Sequence, residues 1–392
     1  MRNGEAAGNR SGSPPSKGKW EIAVPDEITA LLDAGSPTAI GISGGKDSQA
    51  VALRVYEYLD EMGYKQARLL IHSDLGRIEW PQSIQVCHTL AETLQTELMV
   101  VRREAGDLIH RWETRWGNNV KRYYDLACVK LIMPWSSAQM RFCSSELKAS
   151  VISRALLKKF PGKPIINITG VRGAESANRA RQPVCEPQPR LTRKGVIGWD
   201  WRPIHRWSTE DVFSYIASKG VSLHEAYTEK YGSSRVSCAY CCLQSLPDMQ
   251  AAVRCRDNWE AYRLVVDLET RSAFSFQQGR WLADLAPHLL TFEQQEAAAD
   301  AKKRAQHRMQ AEALIPKYLL FTKGWPQALP TREEAQLLAN VRKEVFASMG
   351  MPVTFVSPDD IIARYGDLLS RSPGIQKQEE LTLFDCELTA AA

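Results

Sequence analysis

The sequence lacks the features of a membrane-spanning or exported protein. No apolar run in its 392 residues is long enough to cross a bilayer. The N-terminus also has none of the charged, apolar and small-residue blocks of a signal peptide. Residues 1–19 are instead rich in Gly, Ser, Pro and Lys, which predicts a disordered leader. We therefore expect a cytoplasmic protein with no membrane partner.

A large excess of charge of either sign is also missing. The chain has 50 Lys and Arg residues against 45 Asp and Glu residues, which gives a net charge of +5. This mild basicity permits an anionic partner, such as a nucleotide or a nucleic acid, but does not demonstrate one. With 44% hydrophobic and 24% charged residues, the composition is that of an ordinary globular protein. The length predicts one large domain or two modest ones.

Four short apolar runs alternate with segments of helical spacing in the first half of the chain. They cover residues 38–42, 67–72, 97–101 and 164–170. Strands that alternate with helices predict an α/β fold, a doubly wound parallel sheet with helices on both faces. Ligands of such sheets bind beyond the carboxyl ends of the strands. We therefore expect functional residues directly after these runs.

No comparable series of strands follows residue 245. Residues 246–345 are rich in Ala, Glu, Gln, Arg and Leu, which predicts a mostly helical region. Residues 346–392 are predicted to be a C-terminal segment that is partly flexible. The remaining stretch, residues 20–245, is the predicted nucleotide-binding domain, with a cysteine cluster at its end.

A glycine-rich turn directly follows the first apolar run and precedes a helical pattern. It consists of Ser43, Gly44, Gly45, Lys46, Asp47 and Ser48. Consecutive backbone amides of such a turn point into one concavity in front of a helix N-terminus, an arrangement that binds phosphate. Lys46 adds positive charge, and Asp47 fits a helix start or a magnesium contact. The pattern differs from Gly-x4-Gly-Lys-Ser/Thr, so we do not expect a GTPase or a motor. A turn without any ligand is the alternative.

Cysteine is the other residue type with a distinctive pattern. The chain has nine cysteines, and a disulfide framework is not expected in a cytoplasmic protein of this size. Cys238, Cys241 and Cys242 form a C-x2-C pair with an adjacent thiol. Two thiolates two residues apart on a turn can bind one metal centre.

These motifs resemble those of the adenine nucleotide alpha hydrolases, which cleave ATP between its α and β phosphates. The glycine turn is similar to the pyrophosphate loop (PP-loop) of that superfamily. Within the superfamily, the chain most resembles the phosphoadenosine-phosphosulfate (PAPS) reductase family over residues 37–245. Asp74 and Gly76 stand where this family has Asp-Thr-Gly, with Leu75 in place of Thr. Residues 201–216 are similar to its Pro-x-x-x-Trp-x-x-x-Asp-Val helix.

Residues 170–182 resemble the family's Gly-x-Arg-x-x-Glu-Ser-x-x-Arg segment. The resemblance implies that Gly170 and Arg172 contact the nucleotide. Arg172 and Arg179 are suited to phosphate or sulfate oxygens, because a guanidinium offers forked donors. An arginine cluster that is only a solvated surface is the alternative.

Iron–sulfur members of the reductase family carry a Cys-Cys pair followed later by C-x2-C. Cys143 matches the second residue of that pair, whereas Phe142 occupies the first position, so one expected ligand is missing. The resemblance implies a [4Fe–4S] cluster on Cys143, Cys238 and Cys241, with Cys242, Cys255 or an open position as the fourth ligand. The alternatives are a zinc ion, held by the same three cysteines with Cys242, and thiols without metal.

Two departures from the reductases bear on the function. PAPS reductases degrade the glycine loop because their substrate is already activated, whereas this chain keeps Ser-Gly-Gly-x-Asp-Ser. The reductases also use a cysteine in a C-terminal Glu-Cys-Gly-Leu/Ile-His segment, of which residues 385–387, with Cys386, are only a faint echo. Both departures favour an ATP pyrophosphatase that adenylates an acceptor oxygen and replaces it with sulfur. In this respect the chain is similar to tRNA thiolases and to the ATP pyrophosphatase of DNA phosphorothioation.

This similarity implies ATP and Mg²⁺ as cofactors. It also implies nucleic acid as the acceptor and a sulfur-donor protein, such as a cysteine desulfurase, as a partner. In this hypothesis Lys46 and magnesium neutralise the departing pyrophosphate, and Arg172 and Arg179 orient the activated oxygen. Asp47 belongs to the catalytic set, and Asp74 lies near the nucleotide.

Two other classes of function stay open. One is a thiol-dependent reductase of an activated sulfate, and the other is a non-catalytic regulator that binds an adenine nucleotide. The aromatic residues of 259–290 leave a further choice, because they fit either a helical core or a surface that stacks single-stranded nucleic acid.

Overall fold

The computed structural model describes residues 20–321 and 325–371. The leader predicted for residues 1–19 lies outside this part of the chain, as do residues 372–392 of the predicted C-terminal segment, which include Cys386.

The described chain forms a six-stranded sheet with the strand order β3-β2-β1-β4-β6-β5. The strands are β1 (Thr38–Ile42), β2 (Arg68–Asp74), β3 (Leu98–Arg102), β4 (Ile166–Ile168), β5 (Cys185–Pro187) and β6 (Trp199–Trp201). β1 pairs in parallel with β2 and β4, and β4 pairs in parallel with β6. β5 is antiparallel to β6. The predicted α/β fold with a doubly wound, largely parallel sheet is therefore confirmed.

The four predicted strands correspond to β1, β2, β3 and β4, whereas β5 and β6 were not predicted. Each of these two strands has only three residues, which is too short for a periodic pattern. β5 also contains Pro187, which suits an edge strand because proline lacks an amide hydrogen.

Helices connect the strands and make up most of the described chain after residue 245. Those before it are α1 (Asp26–Asp33), α2 (Lys46–Glu61), α3 (Gln82–Thr93), α4 (Leu108–Tyr124), α5 (Ser150–Lys159), α6 (Ala177–Ala180) and α7 (Thr209–Ser218). Those after it are α8 (Leu246–Arg254), α9 (Trp259–Ser272), α10 (Phe292–Ala313), α11 (Arg332–Met349) and α12 (Pro358–Ser370). The predicted helical C-terminal region is thus confirmed. No helix of residues 20–321 and 325–371 combines the length and the apolar character needed to cross a membrane.

Contacts divide the chain into two compact units, each assembled from separate stretches. Of the described residues, the sheet unit contains 20–73, 82–101 and 148–227, and the helical unit contains 74–81, 102–147, 228–321 and 325–371. The predicted domain boundary at residue 245 stays a prediction.

The core of the sheet unit explains why β1 reads as a continuous apolar run. Ile40 and Ile42 are buried on one face of the sheet, in a cluster with Val51 and Val55 of α2. Ala39 is buried on the other face, in a second cluster with side chains of α5. A parallel strand that is covered on both faces needs apolar residues at consecutive positions.

The helical unit has an aromatic core. Trp112, Trp135 and Phe276 pack edge to face, with ring centroids 5.1–6.0 Å apart. Phe276 lies after α9, in the stretch whose aromatic residues fitted either a core or a stacking surface, and only 2% of it is exposed. This residue therefore belongs to the core.

Candidate functional site

The glycine turn connects β1 to α2 at the carboxyl end of the strand, as predicted. Gly44 has a φ of +75°, a left-handed conformation that favours glycine. A Cβ atom at this position would also stand 2.9 Å from the carbonyl oxygen of Ser83. Both the conformation and the close backbone approach therefore require glycine. Gly45 follows as the residue that precedes α2 and has an extended backbone.

Ser48 fixes the shape of the turn from inside the first turn of α2. Its hydroxyl donates a hydrogen bond to the Gly45 carbonyl (2.8 Å) and accepts one from the Ser43 amide (3.2 Å). The side chain is buried, with 8% exposed. Ser48 thus stabilises the turn instead of presenting its hydroxyl to solvent.

Asp47 lies between two cations. Its Oδ1 accepts a hydrogen bond from Arg172 Nε at 2.6 Å, and its Oδ2 is 3.3 Å from Lys46 Nζ. Both oxygens of the carboxylate therefore face positive groups in this structure. The magnesium contact considered for Asp47 stays a prediction.

Arg172 is held entirely by protein groups. Besides Asp47, its guanidinium donates to the Trp207 carbonyl (3.2 Å) and to the Thr209 hydroxyl (3.3 Å), and only 2% of the residue is exposed. Since its donors already have acceptors, Arg172 positions Asp47 and the start of α2. Its predicted contact with an activated oxygen stays a prediction.

Gly170 allows the segment after β4 to approach the start of α2. A Cβ atom at Gly170 would lie 2.5 Å from the backbone oxygen of Asp47, a distance at which the backbone would have to shift. Arg179 lies further along the same segment, where it forms an ion pair with Glu175. The structure thus brings Gly170, Arg172 and the glycine turn together, whereas Arg179 pairs with an acid of its own segment.

Asp74 ends β2, at the carboxyl end of the strand as predicted. One of its carboxylate oxygens accepts a hydrogen bond from the Gly76 amide at 2.7 Å, and the other is 2.9 Å from Arg102. Gly76 has a φ of +73°, and a Cβ atom there would be 2.4 Å from the side chain of Asp107. The Asp-x-Gly pattern therefore forms a tight turn for which glycine is required.

Sequence patterns missed two aromatic residues that contact Lys46. The Tyr227 hydroxyl accepts a hydrogen bond from the Lys46 amide at 3.1 Å. Lys46 Nζ lies 5.4 Å from the centroid of the Tyr227 ring and 5.7 Å from that of Phe213. Lys46 is consequently buried, with 4% exposed.

A buried histidine next to these residues was also missed. His224 is fully buried, and burial lowers its pKa to about 4, so the ring is neutral at physiological pH. Its Nδ1 accepts a hydrogen bond from the Ala226 amide at 3.0 Å. The proton is therefore on Nε2, which lies 3.3 Å from the Ser83 hydroxyl. Because a Cβ atom at Gly44 would be only 2.9 Å from the Ser83 carbonyl oxygen, Ser83 lies close to the turn, and this histidine helps to hold it there.

The four predicted cysteines lie together in the helical unit. The pKa of the Cys242 thiol is raised far above its usual range by a hydrogen bond with Cys241, by burial, and by the charges of Cys143 and Cys238. The Cys242 thiol donates to the Ser136 carbonyl at 3.0 Å. Cys255 is also buried. Burial, followed by the charges of Tyr262 and Cys255, raises the pKa of the Tyr240 phenol.

The thiol-only donor set has the chemistry of an iron–sulfur or zinc site. In the described part of the chain, however, no three His, Cys, Asp or Glu side chains are arranged as ligands of a metal ion. The assignment of these cysteines as metal ligands therefore stays a prediction, and so does the choice between iron–sulfur, zinc and free thiols.

Two glutamines that the sequence did not single out support the cysteine turn. Gln244 Oε1 accepts a hydrogen bond from the Cys241 amide at 3.1 Å. Gln277 Nε2 donates to the carbonyls of Cys242 (3.2 Å) and Gln244 (2.8 Å). The Gln244 amide also donates to the Cys241 carbonyl at 2.9 Å, so four hydrogen bonds hold the turn that carries the C-x2-C pair.

Phe142, which replaces an expected cysteine, packs against two arginines of α4. The guanidinium groups of Arg111 and Arg115 lie 4.7 and 5.0 Å from its ring centroid. Arg111 also makes two hydrogen bonds with Glu146, at 2.7 and 3.0 Å. A cation–π contact thus takes the place of a metal ligand directly before Cys143.

Part of the chain is similar to a curated protein. A curated relative, an uncharacterized 37.8 kDa protein in the gpa 5' region of Escherichia phage 186, is 28% identical over 240 residues. The matched part is 59% of this chain and 65% of the relative, so the chain spans just under two thirds of that protein's length.

Solved structures show weak similarity, each with a TM-score of 0.35. A PAPS reductase from Candida auris in a phosphate complex is 15% identical, with 54% of this chain and 86% of that chain covered. The U34-tRNA thiolase NcsA from Methanococcus maripaludis, solved with its [4Fe-4S] cluster, is 16% identical, with coverages of 62% and 75%. An FMN adenylyltransferase from Candida glabrata, in complex with FMN and an ATP analogue, is 13% identical, with coverages of 54% and 59%. Similarity at this level is too low to assign a shared function.

The family model of the phosphoadenosine phosphosulfate reductase domain matches residues 37–244, the stretch that contains the glycine turn, the segment after β4 and the cysteine turn. This agrees with the family predicted from the motifs. Because the match covers more than half of the 392 residues, the protein belongs to the phosphoadenosine phosphosulfate reductase domain family.

Proposed function

We propose that this protein is an ATP pyrophosphatase that adenylates an acceptor oxygen and thereby prepares it for replacement by sulfur. The observation that carries the proposal is the intact glycine turn at the carboxyl end of β1, with Lys46 and the N-terminus of α2 at the same place. Such a turn offers amide donors and a positive charge to a polyphosphate. A reductase of an already activated sulfate has no need for such a site.

The reaction would proceed in two balanced steps. In the first, the acceptor oxygen attacks the α-phosphorus of ATP, a new P–O bond forms, and the bond between the α and β phosphates breaks to release pyrophosphate. In the second, hydrosulfide attacks the activated centre of the acceptor, and AMP leaves with the original oxygen. The sum of acceptor–OH, ATP and HS⁻ gives acceptor–SH, AMP and pyrophosphate without a change in oxidation state.

Residues of the glycine turn would stabilise the charge that develops on the departing pyrophosphate. Fixed amide donors and an ammonium group in a water-poor site stabilise such charge strongly. Lys46 is the positive side chain of the turn, and Asp47 holds it in place together with the buried Arg172. In this proposal Arg172 is a positioning residue, whereas Arg179, 30% of whose side chain is exposed, is the arginine that can turn toward an acceptor.

The cysteine group would supply the sulfur side of the reaction. Cys143, Cys238 and Cys241 would hold a [4Fe–4S] cluster, and its fourth iron would either be bound by Cys242 or be open for hydrosulfide. Zinc on the four cysteines is the alternative. Gln244 and Gln277 would keep the C-x2-C turn in place for these ligands. Nucleic acid is the proposed acceptor, and a cysteine desulfurase is the proposed source of sulfur.

The test is an anaerobic preparation that is incubated with α-labelled ATP, hydrosulfide and candidate DNA or RNA acceptors. We expect AMP and pyrophosphate in equal amounts, together with label on the acceptor before hydrosulfide is added. Lys46→Ala should abolish this turnover. Lys159→Ala is the matched control, because Lys159 belongs to the same unit but pairs with Glu97 on the surface.

Two outcomes would contradict the proposal. Release of ADP and phosphate would place the cleavage at another bond. Sulfite production from PAPS with a thiol reductant, without any ATP cleavage, would instead establish the second candidate function, which membership of the reductase domain family favours. If the protein binds the nucleotide but shows no turnover under any condition, the remaining candidate is a non-catalytic regulator.

A further inference from the structure

Tyr227 meets the glycine turn at the amide that begins α2. The first amides of an α-helix have no acceptor within the helix, and the positive end of the helix dipole attracts anions to them. In this structure, the Lys46 amide donates to the Tyr227 hydroxyl at 3.1 Å. A phosphate oxygen bound by the same amide would have to replace that hydroxyl.

The ring of Tyr227 also contacts the side chain of Lys46. It packs edge to face against Phe213, with centroids 5.7 Å apart and an interplanar angle of 89°. The Lys46 ammonium lies 5.4 Å from the Tyr227 centroid and 5.7 Å from the Phe213 centroid, within the range of cation–π attraction. Tyr227 therefore occupies both groups with which Lys46 would bind a phosphate, its amide and its ammonium.

Contacts through His224 connect the backbone that carries Tyr227 to the glycine turn. His224 accepts a hydrogen bond from the Ala226 amide at 3.0 Å, and the Tyr227 amide donates to the His224 carbonyl at 3.0 Å. The other ring nitrogen of His224 is 3.3 Å from Ser83, whose carbonyl contacts Gly44. Because the backbone is fixed while the Tyr227 side chain is only half-buried, the hydroxyl can leave the amide by rotation of the side chain alone.

We propose that Tyr227 is a positioning residue that occupies the phosphate site of the glycine turn and lowers its affinity for weakly charged anions. This inference rests on the proposed function, since it concerns phosphate binding at the same turn. A neutral hydrogen bond from an amide to a hydroxyl contributes less than a charge-assisted bond to a phosphate oxygen, by about a factor of two. Pyrophosphate groups can therefore displace the hydroxyl, whereas weaker acceptors cannot.

The first test is the affinity of the full chain for inorganic pyrophosphate and for ATP, measured by calorimetry. Tyr227→Phe removes the competing hydroxyl and keeps the ring. A net hydrogen bond of about 0.5–1.5 kcal/mol corresponds to a decrease in Kd of about 2- to 12-fold. A gain in affinity separates this role from a merely structural one, because structural damage would weaken binding. Tyr215→Phe is the matched control, since the Tyr215 hydroxyl bonds to Glu57 (2.7 Å) and not to the turn.

The second test needs no nucleotide. The rate at which an amine-acylating reagent modifies Lys46 is measured by peptide mass spectrometry. Tyr227→Leu, which removes the ring, should raise this rate, whereas Tyr227→Phe should leave it unchanged.

The outcomes separate this inference from the proposed function. Equal or weaker pyrophosphate binding by Tyr227→Phe, or an unchanged acylation rate in Tyr227→Leu, would overturn the role of Tyr227 even if the wild-type protein binds ATP. If the wild-type protein binds neither pyrophosphate nor ATP, the proposed function itself fails, and the affinity role of Tyr227 falls with it.

Discussion

The ion pair between Asp47 and Arg172 should contribute measurably to stability, and a double-mutant cycle can isolate its contribution. Asp47→Asn and Arg172→Met are made singly and together. Asn keeps the size of Asp and one acceptor oxygen, and Met keeps much of the volume of the Arg stem. The cycle then reports the interaction between the two charges.

The structure sets the expected magnitude. The Arg172 side chain is 2% exposed and the Asp47 side chain 22%, and the Nε–Oδ1 distance is 2.6 Å. A hydrogen bond with a charged partner contributes about 1.5–3 kcal/mol. Lys46, at 3.3 Å from the other oxygen, keeps a partner for Asp47 after Arg172 is lost, which lowers the coupling. We therefore expect a coupling free energy of about 2 kcal/mol, near the lower end of that range.

A surface pair of the same unit is the control. Lys159 Nζ is 2.6 Å from Glu97, but these side chains are 31% and 53% exposed. Exposed pairs typically contribute about 0.2–1 kcal/mol because water and salt screen them. Urea unfolding followed by circular dichroism gives both cycles. A coupling for Asp47 and Arg172 that is no larger than that of the control pair would refute the reasoning from burial.

Three further predictions concern other parts of the chain. Burial raises the pKa of Glu269 to about 7, so the stability that its protonated form contributes is present below about pH 4.5 and is lost as the pH rises through 7. The Tm difference between wild type and Glu269→Gln should therefore shrink from pH 5 to pH 8. A difference that stays constant would contradict this. Gly170→Ala should lower the free energy of unfolding by about 1–3 kcal/mol, because its Cβ would overlap the turn backbone. Gly117→Ala, in open space on α4, should be neutral or stabilising by up to about 1 kcal/mol, and equal effects in urea unfolding would refute the steric argument. Cys238→Ser should abolish bound iron and acid-labile sulfide in an anaerobic preparation, whereas Cys185→Ser should retain them; if Cys238→Ser retains the metal, the proposed ligand set is wrong.

Local signals predicted the elements that need no distant partner. The cap of α7 shows such a local signal, because Ser208 and Asp211, three residues apart, form reciprocal hydrogen bonds at the start of the helix. β1 was predicted with its observed bounds, since a strand buried on both faces reads as an uninterrupted apolar run. β5 and β6 were missed because their three residues exist as strands only through their pairing with each other and with β4.

The candidate site divides in the same way. The glycine turn is contiguous in sequence, so its six residues could be recognised together. Tyr227 lies 181 residues from the amide that it binds, and a single tyrosine gives no local signal for such a contact. Gln277 is similarly remote from Cys242, at a separation of 35 residues. Such contacts join residues that are distant in sequence and depend on the tertiary fold, which the periodicity of a short segment does not encode.

The sequence by itself determined the first four strands, the helices that alternate with them and the glycine turn, because each depends on neighbouring residues or on close spacing. Only the tertiary structure decided what the charged and aromatic side chains do. It paired Arg172 with Asp47, placed Lys46 against Tyr227 and Phe213, and gathered Cys143 with the C-x2-C turn. The physical reason is that a long side chain can satisfy its charge or hydrogen bonds with many partners, and burial within one particular fold selects among them.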